Sequence, residues 1–328
     1  MPRAALLHAL LLALLSGGCK SCLAEPPKLG AGIVDGGTLL AEDSLPFRAP
    51  ISQWAGTLDV RNRYASTVVV ETRPPRQGGV DGLCSGILIG PRVVLTAGHC
   101  VCTRQRAPLP EAEGQSTLNG STCETQPTVE IVVYDPPRQG LERMPGYTSR
   151  AYEGIEVRPH PEFKLLLDGQ DRTKASRADL ALILLNAPVE EALSPMPLAD
   201  TDVQAGEPFL MAGYTYDKIV GGVSGQRRFT QYKVETLMPP GDDRALFKQP
   251  GRELFTGDSG GPCLREAPSG AVLVGISSRG FGDRPTFTRT YPYRDWVASE
   301  LERAARLFPP MPQGHQAPAS SGHGGPAP

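Results

Sequence analysis

An all-β fold closed by one C-terminal helix is predicted by three observations on this 328-residue chain. Short, β-branched runs bounded by glycine and proline recur along it: "STVVVE", "CSGILIG", "RVVLTAGHC", "VEIVVY", "DLALILL", "EPFLMAG" and "AVLVGIS". Runs of that length and composition read as strands. Glycine (37) and proline (33) are abundant while aromatics are only 6%, a balance that suits many turns better than a helical bundle. Long helical patterns are absent until "YRDWVASELERAARLF", where Trp296, Val297, Leu301, Ala304, Ala305 and Phe308 fall at helical spacing.

From the amino terminus, residues 1–24 read as an export signal: Arg3 is the positive start, and Ala4 to Leu15 form an apolar run broken only by His8. That run is too short for a permanent membrane helix. Its end has two readings. Ser16-Gly17-Gly18-Cys19 resembles a bacterial lipobox, with cleavage before Cys19 and a membrane tether through its lipidated sulfur. Cys22-Leu23-Ala24 is instead an acceptable small-x-small cleavage site. The expected product is secreted, or held at the bacterial envelope as a lipoprotein. Residues 25–63 then form a propeptide or tether and residues 64–308 the folded domain. Residues 309–328, rich in Pro, Gly and Ala, form a disordered tail in which His315 and His323 are solvated.

Formal charge is −2 with no basic block, so no nucleic-acid partner is expected. Export makes the cysteines readable as a disulfide framework. Outside the leader there is no Cys-x-x-Cys pair to mark a zinc site, and neither metal nor cofactor is expected.

The chemistry is carried by three short stretches. In "TGDSGGPC", Ser259 stands in a glycine-rich turn that can lift its hydroxyl into a cleft and free backbone N–H groups. A nucleophilic serine needs a base, and the base an orienter. Leaving out the leader and the tail, only His99 and His160 remain. His99 ends the strand Val93 to Thr96, where a side chain can emerge from a sheet, whereas His160, between prolines in "RPHPEF", reads as a surface-loop residue. Asp179 opens the hydrophobic run "DLALILL", and a carboxylate there is costly unless paired. Holding a histidine N–H explains its placement. The serine lacks the Gly-x-Ser-x-Gly strand-to-helix elbow of α/β hydrolases.

In this order, "LTAGHC", "RPHPEF", "DLALILL" and "TGDSGGP" resemble the trypsin-like (chymotrypsin-fold) serine peptidases, over roughly Tyr64 to Phe308. The resemblance implies two antiparallel six-stranded barrels with the active site between them, His99 and Asp179 from the first and Ser259 from the second. It implies a serine endopeptidase acting on protein or peptide substrates as a monomer; the alternative is a catalytically silent homologue that binds partners. The Gly257 and Ser259 N–H groups would form the oxyanion hole.

Glu253 would floor the specificity pocket and favour Arg or Lys, unless the loop is rearranged, since Phe255 replaces its usual bracing cysteine. Ser278 and Gly280 would meet substrate backbone, with Arg279 in place of an aromatic and Pro285-Thr286 in place of small glycines. "GIVDGG" resembles the family's mature N-terminus with Asp35 inserted; the amine of Ile33, freed by cleavage, would pair with Asp258. The duller reading is a tether segment. Cys84 and Cys100 match the disulfide beside the catalytic histidine. Cys102 and Cys123 are assigned to a second bridge, closing a loop in the insertion "RQRAPLPEAEGQSTLNGST". Asn119-Gly120-Ser121 is a glycosylation triplet. No cysteine in "EPFLMAG" can meet Cys263, which is read as a buried free thiol, the alternative being a bridge to Cys22 in a lipidated form.

Overall fold

The computed structural model describes residues 56–72, 83–106, 115–136, 146–190, 193–216, 223–248, 258–282 and 284–309. Cys19, Ile33, Glu253 and Gly257, with the leader and the tail, lie outside the described residues.

In chain order the first half contains β1 (Thr57–Leu58), β2 (Thr67–Glu71), β3 (Leu83–Gly90), β4 (Val93–Thr96), the short helix α1 (Gly98–Val101), β5 (Cys102–Arg106) and β6 (Ser116–Cys123). It continues with β7 (Thr128–Tyr134), β8 (Tyr147–Pro159), β9 (Lys164–Leu167), β10 (Thr173–Arg177) and β11 (Ala181–Leu185). Strands β11, β4, β3, β2, β7 and β8 close into an antiparallel six-stranded barrel. Four of its wall strands, β2, β3, β4 and β11, are buried along nearly their whole length, and all five residues of β11 are buried. β-branched side chains suit such a pleated, buried surface.

The second half contains β12 (Pro208–Tyr216), β13 (Val223–Leu237), β14 (Arg244–Phe247), β15 (Pro262–Ala267), β16 (Gly270–Phe281), β17 (Arg284–Arg289) and helix α2 (Arg294–Leu307). β13, β12, β15, β16, β17 and β14 pair in sequence, and β13 also pairs with β14, so this sheet closes as well. Its core is aromatic: Phe209 packs on Tyr232, Phe247 and Phe287 at centroid separations of 4.9–5.8 Å, in tilted and edge-on geometries. The two six-stranded barrels are those expected from the sequence.

Three features depart from that reading. First, the stretch expected to be a disulfide-closed loop contains strand. β5 and β6 form a hairpin in which Cys102 and Cys123 are register partners, and β9 and β10 extend it to four strands. Second, packing reaches back before Tyr64. β1 adds to the edge of β13, and Asp59 and Arg227, 1% and 0% exposed, form an ion pair at 2.9 Å. The Arg227 guanidinium also donates to the Val132 carbonyl, Tyr214 Oη and Asn62 Oδ1, joining the entering chain to both barrels.

Third, His160 is not a surface-loop residue. It is buried, its ring meeting Tyr293 and Trp296 edge-on at 4.7 and 4.8 Å. These aromatics come from α2 and the turn before it, so the helix roofs the "RPHPEF" segment. In α2, Val297 and Ala304 are buried and Trp296 and Leu301 pack against the core, as does Phe308 just after the helix, while Ala305 faces solvent.

Candidate active site

β4 runs through Thr96 and Ala97 into α1, which carries His99, and the Cys84–Cys100 disulfide ties this turn to β3. The Cys102–Cys123 disulfide forms as assigned. Cys84, His99 and Cys100 are the His/Cys grouping found among the described residues, but the two sulfurs bond to each other and offer no thiolate.

Asp179 sits ahead of β11 in a tight reversal. The Leu180 N–H donates to the Ala178 carbonyl at 2.6 Å, and Ala178 holds φ at +47°. The Asp179 side chain is fully buried. Its Oδ1 accepts the His99 backbone N–H at 2.8 Å, and its Oδ2 lies 2.7 Å from His99 Nδ1. Oδ2 also accepts the Ser278 hydroxyl at 2.6 Å. Burial pushes the Asp179 carboxyl up, but the adjoining His99 and the hydrogen bonds from His99 and Ser278 outweigh it and hold the group below its ordinary value. An ionised carboxylate can only accept, so Nδ1 is the donor, which makes Nε2 the basic nitrogen whenever the ring is neutral.

Ser259 lies in a turn pinned from both barrels. Its carbonyl accepts the Ser85 N–H of β3 at 2.8 Å. The next N–H, of Gly260, donates to the Ser277 carbonyl of β16 at 2.8 Å, and the Ser277 N–H returns a bond to the Gly261 carbonyl. Gly260 takes φ +80°, and a methyl group there would come within 2.2 Å of Thr96 Oγ1 and 2.3 Å of the Ser85 carbonyl. The serine turn is thus pressed onto the chain that leads into His99, and Ser278, next to Ser277, holds Asp179. Four stretches far apart in sequence converge here.

The neighbouring positions divide. Asp258 is buried, its Oδ1 so close to β12 that a methyl at Gly213 would lie 2.4 Å from it. Gly280 is half-buried on β16. The Ser278 side chain turns inward, leaving only its backbone for an external strand. Arg279 bridges to the β9–β10 turn, 3.1 Å from Asp171 Oδ2 and from the Asp171 carbonyl. Thr286 is buried and donates to the Arg279 carbonyl at 2.8 Å. Cys263 is a buried free thiol on β15, register partner of Met211 in the strand that lacks a cysteine.

A model of the trypsin-like peptidase domain matches residues 84–276. Among curated proteins, the phenoloxidase-activating enzyme of Bombyx mori is 27% identical over 259 residues, covering 67% of this chain and 54% of its own. The serine protease snk of Drosophila melanogaster is 26% identical over 240 residues, covering 65% and 48%. This chain therefore spans about half the length of each. Among solved structures, that of GrC superposes with a TM-score of 0.53 at 18% identity, over 76% of this chain and 99% of its own, a likeness of fold. The domain match covers more than half of a chain folded as two closed barrels, and the chain belongs to the trypsin-like peptidase family.

Proposed function

We propose that this protein is a secreted serine endopeptidase that cleaves peptide bonds through an acyl-enzyme formed on Ser259. Ser259 Oγ attacks the scissile carbonyl while His99 Nε2 takes its proton and then delivers it to the leaving amine. Asp179 fixes the tautomer of His99 and stabilises the imidazolium that forms. The backbone N–H groups of Gly257 and Ser259 receive the developing oxyanion. Water repeats the sequence on the acyl-enzyme to release the second product.

The observation that carries this reading is the buried Asp179 carboxylate, whose two oxygens take two donors from His99 and one from Ser278. Burying a charge with this set of partners orients an imidazole, and family membership supplies a reaction that uses one. The test is labelling with a fluorophosphonate probe. Processed protein should label at Ser259, and His99→Ala and Asp179→Ala should each abolish or nearly abolish the reaction. Failure of the processed wild-type protein to label removes the enzyme and leaves a binding homologue.

The finer parts of the reading rest on sequence positions. Cleavage after Arg or Lys rests on Glu253: a peptide-library profile should lose that preference in Glu253→Gln, and a preference that survives refutes the pocket assignment. Activation at Ile33, with its amine on Asp258, is checked by N-terminal sequencing of active protein. Mass spectrometry of the exported chain separates lipid on Cys19 from cleavage after Ala24.

A further inference from the structure

The backbone that presents Asp179 is strained, and the group that holds it belongs to the other barrel. Ala178 has φ at +47°, in the left-handed region that a residue with a Cβ rarely adopts. The reversal it opens closes at once through the Leu180 N–H to the Ala178 carbonyl, while the Ala178 N–H points out of the turn. Its partner is Asp243 Oδ2, at 2.8 Å and 65 residues away in sequence. Asp243 ends the turn between β13 and β14 in the second barrel.

Asp243 is itself fixed from two sides. The same Oδ2 accepts the Tyr293 hydroxyl at 2.5 Å, and its backbone carbonyl accepts both N–H and Nε–H of Arg289 at 3.0 Å. The residue is buried, and its Oδ1 has no hydrogen-bond partner among the described residues. The neighbouring Arg244 guanidinium pairs with Asp242 instead. A buried carboxylate with one oxygen unpartnered is costly, and packing alone would be better served by an apolar side chain. Holding a strained peptide next to a buried catalytic aspartate accounts for its presence.

We infer that Asp243 is a positioning residue for the Ser-His-Asp reaction: a clamp from the second barrel that sets the Ala178–Asp179 turn and, through it, the orientation of His99. The inference rests on the peptidase reading for its catalytic consequence, but not for its structural one. Tyr293 is the anchor that aims the clamp, which couples the C-terminal turn to the triad.

The test uses the full-length processed protein with two readouts: the fluorophosphonate labelling rate of Ser259, and the low-field proton NMR resonance of His99 Nδ1–H, recorded in Ser259→Ala. Asp243→Ala should slow labelling about 10–100-fold, the cost of a misplaced catalytic group, and should shift or broaden the resonance. Asp243→Asn keeps an amide oxygen that can accept from Ala178 and Tyr293, so it should restore both readouts. Ala178→Gly removes the Cβ penalty and should shrink the loss caused by Asp243→Ala, a non-additivity expected of residues that act on one turn. Tyr293→Phe should give a smaller loss of the same kind, and it serves where Asp243→Ala does not fold. Unchanged labelling and resonance in a folded Asp243→Ala or Tyr293→Phe, or an equal loss with and without Ala178→Gly, overturns the inference. A protein that shows the resonance but never labels refutes the peptidase reading, and the resonance still decides the clamp.

Discussion

Exchanging Asp179 for asparagine tests the core of the proposed chemistry with no change in shape. The two carboxylate oxygens accept three hydrogens: the His99 backbone N–H at Oδ1, and His99 Nδ1–H with the Ser278 hydroxyl at Oδ2. Asparagine has one oxygen and one NH₂ for those places. An NH₂ at the Oδ1 place would face a backbone donor that cannot turn away, a buried clash costing about 1–3 kcal/mol. At the Oδ2 place both partners can adapt, because the Ser278 hydroxyl can rotate to accept and the imidazole can move its proton. The amide therefore settles with NH₂ toward Nδ1, and His99 is held as the Nε2–H tautomer. That nitrogen is then a donor and cannot take the Ser259 proton.

The same exchange in a Ser-His-Asp triad lowers turnover by about 10⁴, or roughly 5 kcal/mol of barrier. The labelling rate of Ser259 at neutral pH should fall to that extent in Asp179→Asn, while near-UV circular dichroism and the urea midpoint stay close to wild type. A folded Asp179→Asn protein that labels within tenfold of wild type would refute the claim that this carboxylate sets the tautomer.

Three further outcomes follow from groups outside the triad. Asp59→Ala strands Arg227 in the core with its ion pair gone, and also removes the acceptor for the Arg63 and Tyr64 N–H groups, so unfolding in urea should show a loss of about 3–5 kcal/mol; Asp59→Asn should lose less. Burial holds the His160 imidazole below its ordinary value of 6.5. The unfolded chain therefore takes up its proton first as pH falls, and the stability due to neutral His160 is complete above about 6.5 and is lost as pH drops through the lower native value. The urea midpoint should fall on that acid side, and His160→Asn, which keeps an acceptor for the Glu162 N–H, should flatten the slope; parallel slopes refute the assignment. Burial likewise pushes the Cys263 thiol well up. Alkylating reagents should modify it only at the rate of unfolding, and rapid modification of native protein would contradict its placement.

Strands were legible where both faces are buried. β2, β4 and β11 are apolar runs with at most one residue that is not fully buried, so each stands out from its own residues. β8 and β13, 13 and 15 residues long, are the longest strands and were missed. β8 is mostly solvent-facing, and the fully buried residue Arg227 of β13 is charged. What makes them strands is pairing with neighbours that carry the apolar signal, such as Ile183 opposite Val157 and Met211 opposite Thr230. His160 was misread for a related reason. Flanking prolines say loop, but the aromatics that bury it lie beyond residue 290, and no local pattern records them.

The same division runs through the site. The residues proposed for the triad, Ser259, His99 and Asp179, stand out because each lies beside an anomaly in its own stretch: a double glycine, a Gly-His-Cys turn, a carboxylate on an apolar strand. The residues that hold them carry no such mark. Ser278 was read only as a position for meeting substrate backbone; its hydroxyl also donates to Asp179, while Ser277 beside it bonds the serine turn through its backbone. Adjacent strand residues point to opposite faces, so these two jobs are compatible only in one register of β16 against β15. Pairing Pro262 with Ile276 and Cys263 with Gly275 sets that register. A slip of one residue would turn the Ser278 hydroxyl away from Asp179 and leave the buried carboxylate short of a donor. The cost of that orphaned bond makes Asp179 an enforcer of the register that aligns the Ser259 turn, so the buried charge secures the fold around the site as well as the orientation of His99.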